Sequence, residues 1–256
     1  MSWFLGRTAL VTGAARGIGH ATALLLAELG ASVIALDVDR EALDQAFTKA
    51  ETAVKPCVGD VAGDGLALAR ALLAEHGPMN LLVNNVGIDT PHSFLELGET
   101  DFDRVMQTNL RGPWFLTRGV VDGMLAEHTR GAVVFVSSLH DRFVRTFAHY
   151  SSSKAAVAML VKELAAELGP SGIRVNAVSP GVIHTGRVPL PTDQRERERL
   201  KAIIPLGEIG QPEAVARMIA LLLSDEWSGY VTGANVPVDG GLALHSWSLH
   251  PDHPRG

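Results

Sequence analysis

Short apolar runs alternate with longer amphipathic segments from one end of the chain to the other. The runs cover residues 8–12, 32–37, 54–58, 81–84, 132–137, 174–179 and 235–238. Valine, isoleucine, leucine and alanine fill them almost without a break, where a half-exposed strand would alternate with polar residues. They are therefore expected to be strands buried on both faces of a parallel sheet. Helical periodicity fills most of the gaps, at about 17–29, 39–50, 64–76, 100–127, 150–168 and 211–223. This alternation predicts an α/β fold with a doubly wound, seven-stranded parallel sheet and helices on both faces. No shift in composition and no repeat divides the chain, so 1–256 reads as a single domain.

Two stretches depart from the pattern. Pro113 lies inside the 100–127 segment and is expected to kink or interrupt it, because proline has no N–H for the helical ladder. Between about 186 and 208, prolines precede the charge run Asp193-Gln194-Arg195-Glu196-Arg197-Glu198-Arg199. That run predicts a short solvated helix, in an insertion placed like a mobile lid.

Composition narrows the class. With 46% hydrophobic and 20% charged residues the chain can bury a sizeable core. A formal charge of −6 argues against a nucleic-acid or anionic-membrane surface. The longest apolar runs, such as Ala220-Leu221-Leu222-Leu223, are too short to span a bilayer, and residues 1–6 do not read as a signal peptide. Cys57 is the only cysteine, which excludes an internal disulfide and suits a reducing compartment. In its strand Cys57 reads as a small core residue. The expected location is the cytoplasm. The histidines, acids and cysteine have no metal-ligand spacing, so no metal site is expected.

After the first strand comes Thr12-Gly13-Ala14-Ala15-Arg16-Gly17-Ile18-Gly19, followed by an apolar helix. Glycines let the backbone turn tightly and approach a pyrophosphate, and the helix start behind them offers free N–H groups and a favourable dipole. The spacing is Gly-x-x-x-Gly-x-Gly rather than the general Gly-x-Gly-x-x-Gly. Even so, strand, glycines, helix and a later acidic strand end come in the order a Rossmann dinucleotide site requires. That acidic end is Asp37, eighteen residues past Gly19. A carboxylate there can accept hydrogen bonds from the adenosine ribose and repel a 2′-phosphate. Arg16 pulls the other way, since it could pair with that phosphate. Asp37 carries more weight, and the expected cofactor is NAD.

The second chemical motif is Tyr150-Ser151-Ser152-Ser153-Lys154 at the head of an alanine-rich helix. Tyr150 and Lys154 stand on one helix face. A tyrosine hydroxyl in ordinary surroundings releases its proton near ~10, and an ammonium one turn away favours the phenolate. Such a pair can exchange a proton with an alcohol or carbonyl. Taken alone, Tyr-x-x-x-Lys is a weak signal.

With these motifs in order, the chain resembles the short-chain dehydrogenase/reductase family over roughly residues 5–241. The resemblance extends to Asp60-Val61, the family's position beside the adenine ring. It includes Asn84-Asn85-Val86-Gly87, where the family has Asn-Asn-Ala-Gly; the extra methyls of Val86 are expected to shift the neighbouring backbone slightly. Asn109 corresponds to the helix asparagine of the catalytic tetrad, and Ser138 to its serine. Pro180-Gly181-Val182-Ile183-His184-Thr185 corresponds to the loop that holds the nicotinamide carboxamide, with Pro180, Gly181, Ile183 and Thr185 as its contacts. Asp239-Gly240-Gly241 fits the family's last-strand ending. The resemblance thus implies a catalytic set of Asn109, Ser138, Tyr150 and Lys154. It also implies that Lys154 binds the nicotinamide ribose, and that Asn109 holds a water in a proton relay.

One departure bears on substrate. Ser138 and Tyr150 are twelve residues apart, one fewer than in many family members, which shortens the loop 139–148. That loop reads Leu139-His140-Asp141-Arg142-Phe143-Val144-Arg145-Thr146-Phe147-Ala148. Its His-Asp-Arg run resembles the glucose-dehydrogenase-like branch. His140 and Asp89 are candidates for binding substrate hydroxyls and Arg142 for a carboxylate; an intraloop salt bridge is the plainer reading of Arg142. His149 is expected to face solvent or the pocket edge.

The expected activity is NAD(H)-dependent interconversion of a secondary alcohol and a ketone on a small molecule, tilted toward a sugar or polyol. A 3-oxoacyl thioester or a hydrophobic cyclic alcohol is the alternative substrate, and a non-catalytic dinucleotide sensor a distant alternative function. The resemblance also implies a homotetramer, with the last helix, Glu213 to Leu223, and the last strand as one interface; its apolar run Met218–Leu223 is richer than a monomer needs, unless it faces the sheet. The tail, 242–256, has two prolines and no periodicity but carries Trp247, whose indole has much surface to bury. Trp247 is expected to pack on an adjacent subunit and close part of its substrate pocket.

Overall fold

A computed structural model describes residues 2–47, 53–144, 146–186 and 193–244. Seven strands form one parallel sheet: β1 Thr8–Thr12, β2 Ser32–Asp37, β3 Val54–Val58, β4 Leu81–Asn84, β5 Gly131–Val136, β6 Ile173–Pro180 and β7 Asn235–Val238. Their spatial order is β3-β2-β1-β4-β5-β6-β7. The chain therefore winds outward from β1 in one direction, returns, and winds outward from β4 in the other. The crevice beyond the carboxyl ends of β1 and β4 is where such sheets take ligands.

Successive residues of a strand point to opposite faces. On β5, Ala132, Val134 and Val136 enter one core, with Val133 and Phe135 in the other. The first core is closed by α1 Gly17–Glu28, α2 Arg40–Phe47 and α8 Pro212–Leu223; the second by α3 Gly65–His76, α5 Gly112–Ala126 and α6 Ala148–Leu168. Both faces of the inner strands are covered, which accounts for their nearly continuous apolar runs. The edge strands β3 and β7, expected to be buried too, are exposed or partly buried along most of their length. Cys57 is partly buried at the margin of the second core, and burial pushes its thiol up, toward the protonated form.

Three further expectations need correction. The 100–127 segment is interrupted, but ahead of the proline. α4 Glu99–Met106 passes into a π turn, Gln107–Arg111, and only then into α5, with Pro113 in its first turn. Pro113 has no N–H to give the carbonyl of Asn109, and the ladder shifts so that Gly112 N–H reaches the Gln107 carbonyl five residues back. Within α8, Ile219, Ala220, Leu222 and Leu223 are buried against α1 and the sheet, so most of this apolar run is taken up by its own chain, with Met218 and Leu221 partly buried. His149 is 3% exposed, with Nε2 3.0 Å from Thr90 Oγ1, rather than facing solvent or the pocket.

The charge run forms α7 Gln194–Ala202, a solvated helix capped by Asp193 and carrying a Lys201–Glu198 pair. A short helix, α9 Asp225–Ser228, follows α8. Arg174 of β6 is buried beneath it and donates to the Leu222 and Leu223 carbonyls and to Asp225, which satisfies the end of α8. Among the described residues no helix is long and apolar enough to cross a membrane, and no group of acids, histidines or cysteine could hold a metal ion. Trp247 lies outside the described residues.

Candidate active site

A cleft of about 790 Å³ opens at the carboxyl ends of β1 and β4. Its floor is the turn after β1. Gly13 (φ 64°) and Gly17 (φ 58°) occupy left-handed backbone that side chains disfavour. Gly19 is closed in from behind: a Cβ there would stand 2.1 Å from the Gly13 carbonyl oxygen and 2.6 Å from Asn85 Nδ2. Asn85 is the brace of this turn, donating from Nδ2 to the Thr12 and Gly13 carbonyls at 2.9 and 3.0 Å. Thr12 Oγ1 accepts from Asn85 N and Val86 N, which locks the ends of β1 and β4 together. Val86, expected to disturb this backbone, keeps that bond and packs its side chain on the second core. The result is a bare backbone cradle with the first N–H groups of α1 behind it, which fits a pyrophosphate.

Asp37 ends β2 on the cleft wall. Its Oδ2 accepts from Ala15 N (3.0 Å) and its Oδ1 from Asp39 N (3.1 Å), so the carboxylate is fixed in place with lone pairs to spare. Arg16 is paired with Asp39, a residue the sequence reading passed over. Asp60, Val61, Ile18, Val86 and Gly87 line the cleft further along, as do Pro180, Gly181, Ile183 and Thr185 at its other end. Gln107, also unanticipated, donates to the Ala62 carbonyl at 2.6 Å and holds the 60–62 turn. Nothing in its spacing marked it, because the π turn that aims it had not been foreseen.

Ser138, Tyr150 and Lys154 meet on the cleft wall. Lys154 is 3% exposed, its Nζ donates to the Val136 carbonyl at 2.9 Å, and it lies 5.7 Å from the Tyr150 ring centre. Ser137 Oγ is turned inward to Asp141 and the Lys154 carbonyl. Ser138 Oγ instead accepts from His140 N at 3.3 Å, which leaves its own proton to be donated elsewhere. Asn109 does not line the cleft. It is buried behind Ile88, with Oδ1 accepting from Ile88 N (2.7 Å) and Nδ2 donating to Ile88 O (2.8 Å) and Ser153 Oγ (3.0 Å). Its side chain therefore shapes the loop that carries Gly87 and Asp89.

Of the substrate candidates, Asp89 is exposed on the cleft lining. His140 stands edge-on to Tyr150, ring centres 5.3 Å apart, and its Nδ1 is 3.5 Å from Ser151 Oγ. Arg142 forms the intraloop salt bridge, Nε to Asp141 Oδ1 at 2.7 Å. Asp141, the acid of the His-Asp-Arg run, is turned inward, with its side chain 1% exposed. Burial alone would raise its carboxyl, but hydrogen bonds from Arg142, Ser179 and Asn235 outweigh that and hold it below the usual carboxylate value.

A glycine cradle, an acidic strand end and a tyrosine beside a buried lysine on one cleft now bear comparison with known proteins. The profile of a family described as enoyl-(acyl carrier protein) reductase matches residues 13–243. The chain belongs to the short-chain dehydrogenase/reductase family. It is 40% identical over 246 residues to the 3-oxoacyl-[acyl-carrier-protein] reductase of Thermotoga maritima, covering 93% of this chain and 98% of that one. It is also 40% identical to human L-xylulose reductase over 245 residues, 94% and 99% of the two chains. Among solved structures, one described as a 2-deoxy-D-gluconate 3-dehydrogenase from Agrobacterium tumefaciens with bound NADP superposes with a TM-score of 0.87. That structure is 34% identical, over 95% of this chain and 99% of its own. This short-chain dehydrogenase/reductase is therefore an oxidoreductase, with one relative named as a 3-oxoacyl-[acyl-carrier-protein] reductase and another as an L-xylulose reductase.

Proposed function

We propose that the protein interconverts a secondary alcohol and a ketone with NAD(H), on a polar sugar- or polyol-like substrate. Asp37 carries the cofactor part of this reading. Its fixed carboxylate stands where ribose hydroxyls would be bound, and a 2′-phosphate would meet like charge. Arg16, the residue that could have favoured that phosphate, is engaged by Asp39. The nicotinamide, when bound, supplies or takes up the hydride. Tyr150 gives a proton to the substrate oxygen, or takes one from it. Lys154 places a cation beside the Tyr150 ring and holds the nicotinamide ribose. Ser138 donates its free proton to the substrate oxygen and stabilises the charge developing there. Asn109 supports the proton relay behind Lys154.

NAD should give the higher kcat/KM, and a preference for NADP would overturn the ranking of Asp37 over Arg16. The polar-substrate reading rests on His140 beside Tyr150 and on Asp89 at the cleft. The similarity to L-xylulose reductase also supports it. A 3-oxoacyl thioester is the second reading, favoured by the equal similarity to the Thermotoga maritima enzyme. Turnover assays across sugars, polyols, hydroxy acids and a 3-oxoacyl thioester decide between them.

The same reading makes the protein a homotetramer. Two apolar surfaces support it: Phe102, Trp114, Phe115 and Met159 on the outer sides of α4, α5 and α6, and Trp227, Tyr230 and Val231 beyond α8. Light scattering should return the mass of four chains, and a monomer would refute the assembly.

A further inference from the structure

Asp141 closes a cluster that the mechanism does not use. Its Oδ2 is 2.7 Å from Ser179 Oγ, 2.5 Å from Asn235 Nδ2 and 3.3 Å from Ser137 Oγ, while Oδ1 takes the Arg142 Nε–H at 2.7 Å. Ser179 and Asn235 are also in contact, 2.7 Å between Ser179 Oγ and Asn235 Oδ1. These partners come from the end of β5, from β6 and from the start of β7, so one buried carboxylate ties three strands to the loop after Ser138. A carboxylate suits this point because several donors converge on one oxygen, and only an acceptor with spare lone pairs can serve them.

The backbone on either side makes the same connection. Asp141 N donates to the Ser138 carbonyl at 3.0 Å, and His140 N to Ser138 Oγ at 3.3 Å, in one turn of 3-10 helix, Leu139–Asp141. On the other side Ser137 N is held by the Val178 carbonyl at 2.8 Å. Ser138 thus sits between two tethers, a backbone bond before it and the Asp141 carboxylate after it. The Asp141 contact holds the first turn of the loop, Leu139–Asp141, against the sheet, while Arg142, Phe143 and Val144 beyond it are exposed.

We infer that Asp141 is a positioning residue for Ser138, anchoring the turn that sets the Ser138 hydroxyl against the substrate oxygen. The inference rests on the reading of Ser138 given under the proposed function. A group displaced by about 1 Å can lose on the order of 10²-fold in rate. Asp141→Ala should therefore lower kcat by about 10²-fold, with NAD affinity within about two-fold of the parent. Asp141→Asn keeps an oxygen for the two serine hydroxyls and loses the Arg142 pair, so kcat should fall only about 10-fold.

The assay measures kcat, KM and NAD affinity by calorimetry, on the substrate turned over best, for D141A, D141N and S138A in the full chain. Graded kcat losses at constant NAD affinity support the tether. Parent-level kcat in D141A, or NAD affinity falling in step with kcat, overturns it. If D141A does not fold, D141N carries the test, and an unchanged kcat there is the overturning result. S138A separates the two failures. An inactive S138A beside an active D141A removes the tether alone, whereas an active S138A removes the reading of Ser138 with it.

Discussion

Replacing Tyr150 with phenylalanine should lower turnover by about 10²–10⁴-fold, the range that general acid–base catalysis contributes, while NAD affinity stays near the parent value. The substitution keeps the ring, and with it the edge-on contact to His140 and the packing beside Lys154. Only the hydroxyl leaves, so the cleft retains its shape and the glycine cradle its N–H groups. Stopped-assay rates with the preferred substrate, alongside calorimetric titration with NAD, distinguish a lost proton donor from a collapsed site. Parent-level turnover would remove Tyr150 from the mechanism altogether. A parallel drop in NAD affinity would show that the hydroxyl holds the site together instead.

Gly19→Ala should weaken NAD binding by about 10²-fold or more, for a reason that lies behind the cleft. The added methyl would meet the Gly13 carbonyl at 2.1 Å and Asn85 Nδ2 at 2.6 Å, and real Cβ atoms do not approach so closely. Neither neighbour can swing aside cheaply. One is the backbone of the left-handed turn, and the other is the amide that braces it through Thr12 and Gly13. Relieving the overlap displaces the cradle by about the distance that ruins hydrogen bonds to a phosphate. Gly98→Ala serves as the control, since nothing lies within 4 Å of a Cβ there. Equal NAD affinities for the two variants would show that the cradle yields more easily than its packing implies.

The sheet was legible because each strand carries its own signal. A run such as Leu81-Leu82-Val83 is apolar on both faces wherever it lies, and the whole of β4 is buried. The glycine turn and the acidic strand end could be placed for a related reason. Glycine turns and the acid ending β2 act through backbone geometry local to their own segment. Asp141 was not legible, because its partners Ser179 and Asn235 lie 38 and 94 residues away and mean nothing until β6 and β7 are side by side. Likewise Met218–Leu223 read as surplus apolar area until α1 was seen to cover it. The π turn was hidden because the apolar period runs across it with little change. Pro113 pointed to an interruption, but not to its position or kind.

That turn also works as a spacer. Through Gln107 it grips the 60–62 segment and through Asn109 the 87–89 segment, so a single added residue gauges the separation between the two ends of the cleft. Each residue of a helix turns the next by about 100°. Deleting one residue from Gln107–Arg111 would restore a regular ladder, yet rotate one grip away from its loop while the other stayed in place. Helix α4–α5 can therefore tolerate changes in residue type more readily than changes in length, and insertions or deletions within it should be the costly variation in this chain.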